Sequence, residues 1–178
     1  MTGAPRVLVV PGYQNSGPEH WQSVWEARHP AYRRVQQRDW EYPRRDEWVA
    51  ALDHAVRSAP GPVAFVAHSL GCHAVVQWSA RHTHAVAGAL LVAPSDVERL
   101  DALSDVRTFG PVPLARLPFP SIVVASTDDP FADFERAQKW ADAWGSELVS
   151  LGDAGHINAT SGYGPWPEGE ALLARLLR

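Results

Sequence analysis

At 178 residues, 46% of them hydrophobic and 20% charged, the chain can bury one sizeable core and is too apolar to be disordered. A formal net charge of −4, with acids and bases interspersed, excludes the electrostatic footprint of a nucleic-acid binder. The single cysteine, Cys72, excludes an internal disulfide and any thiolate-rich zinc or iron–sulfur site.

In chain order, the first apolar run is Arg6 to Val10, broken by Pro11 and Gly12. It is too short for a secretory leader or a bilayer span, so a cytoplasmic protein without membrane association is expected. The next segment has helical period, with Trp21, Val24 and Trp25 on one face. Ser16 offers an N-cap with Glu19 three residues on, and Pro18 suits a first turn where its missing N–H costs little. A weak strand is expected over 33–39. The Arg33-Arg34 pair within it, and Arg44-Arg45 beyond it, read as solvated surface rather than a phosphate-binding stripe. Asp46 opens a second helix carrying Trp48, Leu52 and Val56.

Residues 62–67, 86–93, 121–126 and 147–151 are continuous apolar, β-branched-rich runs, the pattern of parallel strands covered on both faces. A helix carrying Ala74, Val75 and Trp78 comes after the first of these. Another runs from about Phe131 to Trp144, with Gly145 placed to end it, and a leucine stripe closes the chain. Strands alternating with helices make an α/β domain with a mostly parallel sheet of about six strands and helices on both faces. No repeat, low-complexity tract or linker interrupts residues 1–178, which are expected to form one domain. The proline-rich stretch 94–120 is either a partial cover over a site or a plain connection.

Ligands in such sheets sit beyond the carboxyl ends of the strands, so the residues just past each strand matter most. "HSLGC" comes after the strand at 62–67, "TDDP" after that at 121–126, and "GDAGHIN" after the one at 147–151. Serine, carboxylate and histidine therefore come in the chain order of α/β-hydrolases. An imidazole must take the serine proton before the hydroxyl attacks, and a carboxylate must fix the imidazole tautomer. The candidates are Ser69, His156 and one of two adjacent aspartates, of which Asp129 is favoured because Pro130 comes directly after it. Asp128 reads as a turn residue bonding its own backbone.

Around the serine, Ala67 replaces the first glycine of G-x-S-x-G, and Gly71 keeps the second. A methyl is a small intrusion there, whereas Val or Leu would not pass. Candidate oxyanion donors are the N–H of Leu70 and one at Gly12 or Tyr13. His68, Trp21 and Trp166, with Trp40, stand near strand-end loops as candidate lining residues, although tryptophans equally serve packing. No arginine stands out to clamp a substrate carboxylate. Cys72 reads as a small buried hydrophobe, and His82 and His84 lack further ligands at metal-binding spacing. Asn158-Ala-Thr matches a glycosylation acceptor that a chain without a leader would not use. No metal-protease, dinucleotide or Walker-type motif occurs, so no metal or cofactor is expected.

With these residues in hand, the chain resembles the retinoblastoma-binding protein 9-type (YdeN-like) serine hydrolases of the α/β-hydrolase superfamily. The likeness is carried by "VPGYQNSGPEHWQSVWE", "AHSLGC", "STDDPF" and "GHINATSGYGPWPEG" and runs almost end to end. It implies a compact sheet with little or no lid, supports Asp129 as the second triad member, and implies hydrolysis of esters or amides. The expected activity is cleavage of small carboxylic esters through an acyl-enzyme. The alternatives are an amidase or aminopeptidase-like enzyme using Asp128 or Glu19 to hold a free amine, and a non-catalytic partner-binding module on the same fold.

Overall fold

Valine, leucine and alanine fill the strand runs because both faces of the sheet are covered. The computed structural model describes residues 5–178, so the part of the N-terminal expectation falling on residues 1–4 lies outside them. The strands are β1 (Arg6–Val10), β2 (Arg33–Arg34), β3 (Val63–His68), β4 (Val86–Val92), β5 (Ser121–Ala125) and β6 (Glu147–Ser150). All pair in parallel in the order β2-β1-β3-β4-β5-β6. The helices are α1 (Trp21–Arg28), α2 (Arg45–Arg57), α3 (Leu70–Ser79), α4 (Phe134–Trp144) and α5 (Pro167–Leu176).

Strand side chains alternate between two cores. Leu8, Phe65, Leu91 and Val123 meet Trp48, Trp78 and Trp140 from α2, α3 and α4. Their strand neighbours Val7, Val66, Leu90 and Val124 meet Trp21, Trp25 and Leu173 from α1 and α5. Fully burying one large apolar side chain contributes roughly 1.5–3 kcal/mol, so these two layers dominate the favourable side of folding. Among the described residues no helix is long and apolar enough to cross a membrane.

The strand order also locates a crevice. From β1 the chain passes over one face to β2, then returns over the other face to β3 on the far side of β1. The loops leaving β1 and β3 therefore diverge, which opens a ligand-sized gap at the switch point. Gln22 ties its floor together. Its buried Nε2 donates to the carbonyls of Val10 (3.2 Å) and Val66 (3.0 Å), one from each strand.

Several expectations are corrected. α1 starts at Trp21 rather than after Ser16, whose hydroxyl is used on Gln22 Oε1 at 2.6 Å. His20 is the cap instead, its Nδ1 accepting from the Gln22 N–H at 3.2 Å. The buried stripe of α1 is Trp21, Gln22 and Trp25, so Gln22 replaces Val24 on that face. Arg34 is not solvated surface: its guanidinium pairs with Glu26 at 2.7 Å and holds Asn15 Oδ1 and the Ser16 carbonyl of the β1–α1 loop. β6 lies at the sheet edge and is only half-buried, and α4 starts at Phe134, three residues later than the pattern indicated.

The 94–120 stretch is a pinned wall. Gln77 of α3 donates to the Phe109 (2.6 Å) and Pro111 (2.9 Å) carbonyls, and Trp144 of α4 donates to that of Pro113 at 2.8 Å. Arg136 of α4 pairs with Asp96 and Glu98.

Candidate active site

Ser69 sits between the end of β3 and the start of α3 with φ 54° and ψ −121°, a conformation that costs on the order of 1–3 kcal/mol for a residue bearing a Cβ. The surrounding backbone enforces it: the Ser69 N–H donates to the Val92 carbonyl at 2.9 Å, and α3 begins at the next residue. Gly71 is required by close approach. A Cβ there would stand 2.3 Å from the Val10 carbonyl oxygen and 2.7 Å from that of Pro11. Ala67 is fully buried in β3, opposite Val10 and Leu91, and its methyl is accommodated.

The loop after β6 carries His156 back over the strand ends. Gly155 takes φ +54°, a left-handed turn that only glycine adopts without strain. Asp128 braces this turn: its Oδ1 accepts the Ser126 hydroxyl and the Gly155 N–H, each at 2.7 Å. Those hydrogen bonds, the Ser126 hydroxyl first, hold the Asp128 carboxyl below its usual range. Farther on, Ser161 Oγ accepts the His156 N–H at 3.1 Å and donates to Asn158 Oδ1 at 2.9 Å.

The structure brings Asp129, rather than Asp128, to the imidazole. Both Asp129 oxygens lie 3.0 Å from His156 Nδ1, and His156 Nε2 lies 2.9 Å from Ser69 Oγ. The Asp129 side chain is 4% exposed and that of His156 is 10% exposed. Asp129 Oδ1 also accepts the Phe131 N–H at 2.9 Å.

None of the four candidate lining residues stands in the wall of the site, and three of them lie beneath it. His68 is buried, and its Nε2–H donates to the His156 carbonyl at 2.8 Å, joining the serine's strand to the histidine's loop. Burial, then the nearby His156 and His20 rings, holds its pKa well below 6.5, so it stays a neutral donor. Trp21 is fully buried with its Nε1–H on the Ile157 carbonyl at 2.9 Å, and Trp166 is buried against Trp21 and Trp25. Tryptophan supplies more apolar area than any other side chain, and the α1–α5 layer takes it up. Trp40 packs against Trp48 instead of opening to the cleft. Cys72 is buried, which raises its thiol pKa and leaves it inert.

Above Ser69 and His156 lies a cleft of about 470 Å³ whose apolar wall includes Tyr13, Leu103, Val106 and Phe131. Leu103 and Val106 belong to the 94–120 stretch, which therefore forms one side of the cleft. Arg99 also lines it, a cation the sequence did not single out, but its guanidinium is taken by Asp101 (3.0 Å) and the Pro130 carbonyl (2.9 Å). Asp96, another lining residue, is paired with Arg136 at 3.3 Å. The loop after β1 closes the far side. A Cβ on Gly12 would lie 2.9 Å from Ser69 Cβ and 3.1 Å from the Leu70 nitrogen, and Tyr13 lines the cleft beside them.

Pattern reading missed Gln22, Phe131, Asn158 and Ser161. Gln22 had one available signal, a polar residue between two tryptophans on a helix face; Asn158 and Ser161 act through a backbone turn and Phe131 through a single exposed ring, none of which leaves a periodic trace.

Residues 7–175 match the family model described as serine hydrolase. The chain is similar to the solved structure of a YdeN-like hydrolase from Pectobacterium atrosepticum, with 38% identity, TM-score 0.88, and coverage of 98% of this chain and 91% of that one. It is similar to the ydeN product of Bacillus subtilis at 22% identity and TM-score 0.84, over 97% of this chain and 98% of that one. A thermophilic esterase from Thermogutta terrifontis shares the fold at 15% identity and TM-score 0.69, over 99% of this chain and 92% of that one. No curated protein sequence matches the chain. The sheet and its helices are those of an α/β-hydrolase. A family match across nearly the whole length, joined by a 38%-identical relative covered almost end to end, settles the affiliation: the chain belongs to the serine hydrolase family.

Proposed function

We propose that the protein cleaves small carboxylic esters through an acyl-enzyme on Ser69, with His156 as general base and Asp129 as the carboxylate that orients it. The carrying observation is the unbroken series from Asp129 to His156 Nδ1 and from His156 Nε2 to Ser69 Oγ, on the floor of an apolar cleft. In this reading the Ser69 hydroxyl gives its proton to Nε2 as Oγ attacks the ester carbonyl carbon. The N–H of Leu70 and one at Gly12 or Tyr13 are the donors assigned to the developing oxyanion, supported by the close approach of the Gly12 loop to Ser69 and Leu70. Collapse breaks the bond to the alcohol oxygen, which leaves with the proton from Nε2. Water, activated by the same imidazole, then releases the acid and restores Ser69.

Neutral substrates are favoured by the charges around the cleft. Asp96 and Arg99 in its wall each have a partner, so neither is free for a charged substrate group. Asp128 is engaged with Ser126 and Gly155, and neither it nor Glu19 lines the cleft, so neither stands ready to hold a substrate ammonium. The test is labelling by a fluorophosphonate together with hydrolysis of p-nitrophenyl acetate and an aminoacyl anilide. Wild type should label and turn over the ester, and Ser69→Ala should do neither. A folded wild type that does not label would make the chain a binding module instead, and faster turnover of the anilide would make it an amidase.

A further inference from the structure

Phe131 is the least explained side chain at the site. It is 53% exposed although large and apolar, and it lines the same cleft as Ser69. Its backbone is held on both sides: the N–H donates to Asp129 Oδ1 at 2.9 Å, and the carbonyl accepts the Asp96 N–H at 2.8 Å. The ring therefore has a fixed root. It stands edge-to-face against the His156 imidazole with centroids 4.6 Å apart. Leu103, 55% exposed, offers a second apolar side chain to the same cleft.

The chemistry of ester cleavage decides which half of a substrate meets that ring. His156 Nε2 must hand its proton to the departing alcohol oxygen, so that oxygen passes within hydrogen-bond distance of the imidazole. The alcohol group, not the acyl group, is thus carried past the partner of the imidazole, Phe131. We propose that Phe131 forms the leaving-group subsite and selects esters of neutral, aryl-bearing alcohols; this rests on the esterase reading above. An aromatic leaving group gains an offset or edge-to-face contact with the exposed part of the ring in addition to area burial. In the step itself the acyl carbon–alcohol oxygen bond breaks, the acyl–Oγ bond has formed, and the Nε2 proton goes to the aryl-bearing alcohol.

Benzyl acetate and methyl acetate separate this role from mere support of His156, because both give the same acetyl-enzyme. Wild type should show a higher kcat/KM for the benzyl ester. In Phe131→Ala the benzyl-to-methyl ratio of kcat/KM should fall about tenfold, the size of a lost aromatic contact. Phe131→Tyr should restore it and Phe131→Leu should recover part. Equal losses on both esters, with the ratio unmoved, would overturn the assignment and leave Phe131 a support for the imidazole. Absence of turnover of both esters and of fluorophosphonate labelling in wild type would overturn the esterase reading itself.

Discussion

Two adjacent aspartates separate by task because their side chains leave the chain in opposite directions. Asp129 turns inward to His156, while Asp128 turns to Ser126 and the Gly155 N–H and so fixes the loop that carries His156. Replacing either by Asn keeps the shape and removes the charge, so the pair forms a comparison. Asp129→Asn presents an N–H where an acceptor is needed and favours the wrong imidazole tautomer. A loss of kcat on the order of 10⁴ is expected, with KM little changed, by the logic of a Ser-His-Asp triad. Asp128→Asn retains an oxygen that can accept the Gly155 N–H and should cost less than about tenfold. Steady-state kinetics on p-nitrophenyl acetate decide the matter. If Asp128→Asn is the more damaged variant, the roles assigned to the two carboxylates are reversed.

At the scale of elements, the turn from β3 into α3 tolerates change on one side only. Gly71 has backbone carbonyls 2.3 and 2.7 Å from where a Cβ would sit, and a peptide in a paired strand end cannot withdraw. Gly71→Ala should therefore cost more than the roughly 1–3 kcal/mol typical of overpacking, and urea unfolding should show it as a large drop in midpoint or no folded protein. Ala67→Gly should keep activity and lose only about 0.5–1 kcal/mol, the conformational cost of glycine in a strand. Ala67→Val, which adds two methyls in a fully buried position, should fall in the overpacking range. Equal tolerance at 67 and 71 would refute this account of the turn.

The same contrast explains what was legible in the sequence. The strand runs and the order serine, aspartate, histidine survive translation into structure because parallel strands are read by continuous apolar runs and by the residues just past their ends. The start of α1 did not survive, because Ser16 hydrogen-bonds to Gln22 across the turn instead of capping the helix. The role of 94–120 was open for a similar reason: its anchors, Gln77, Trp144 and Arg136, lie on α3 and α4, outside the segment itself. The lining tryptophans failed because adjacency to a strand end does not say on which side of the sheet a side chain is buried.

For the molecule as a whole, burying histidines ties folding to pH. His20, His68 and His73 are all buried. Burial first, then the neighbouring Arg34 and His156, lowers His20 to about 3. Burial lowers His73 to about 4 against the opposing bond to the Ser95 carbonyl, and it holds His68 well below 6.5. In the unfolded chain each returns to about 6.5 and takes up a proton. The folded pKa values are depressed, so the unfolded state binds more protons below about pH 6.5, and stability falls as pH falls through that window. The His20 and His73 imidazoles each contribute a slope of about 1.4 kcal/mol per pH unit there, or roughly 2 kcal/mol between pH 7 and pH 5. His20 and His73 together give about 4 kcal/mol, a large share of the 5–15 kcal/mol that typically holds a domain folded, and His68 acts in the same direction. The exposed carboxylates whose pKa values are lowered, among them Asp46 and Glu147, act in the same direction but start from about 3.8 and 4.5, so they add little above pH 5. Urea midpoints should therefore decline steeply from pH 7 to pH 5. His73→Gln, which keeps a donor for the Ser95 carbonyl without a titrating ring, should flatten that decline by about one proton's worth. A midpoint that stays constant over this range would mean that the buried imidazoles find their protons without unfolding.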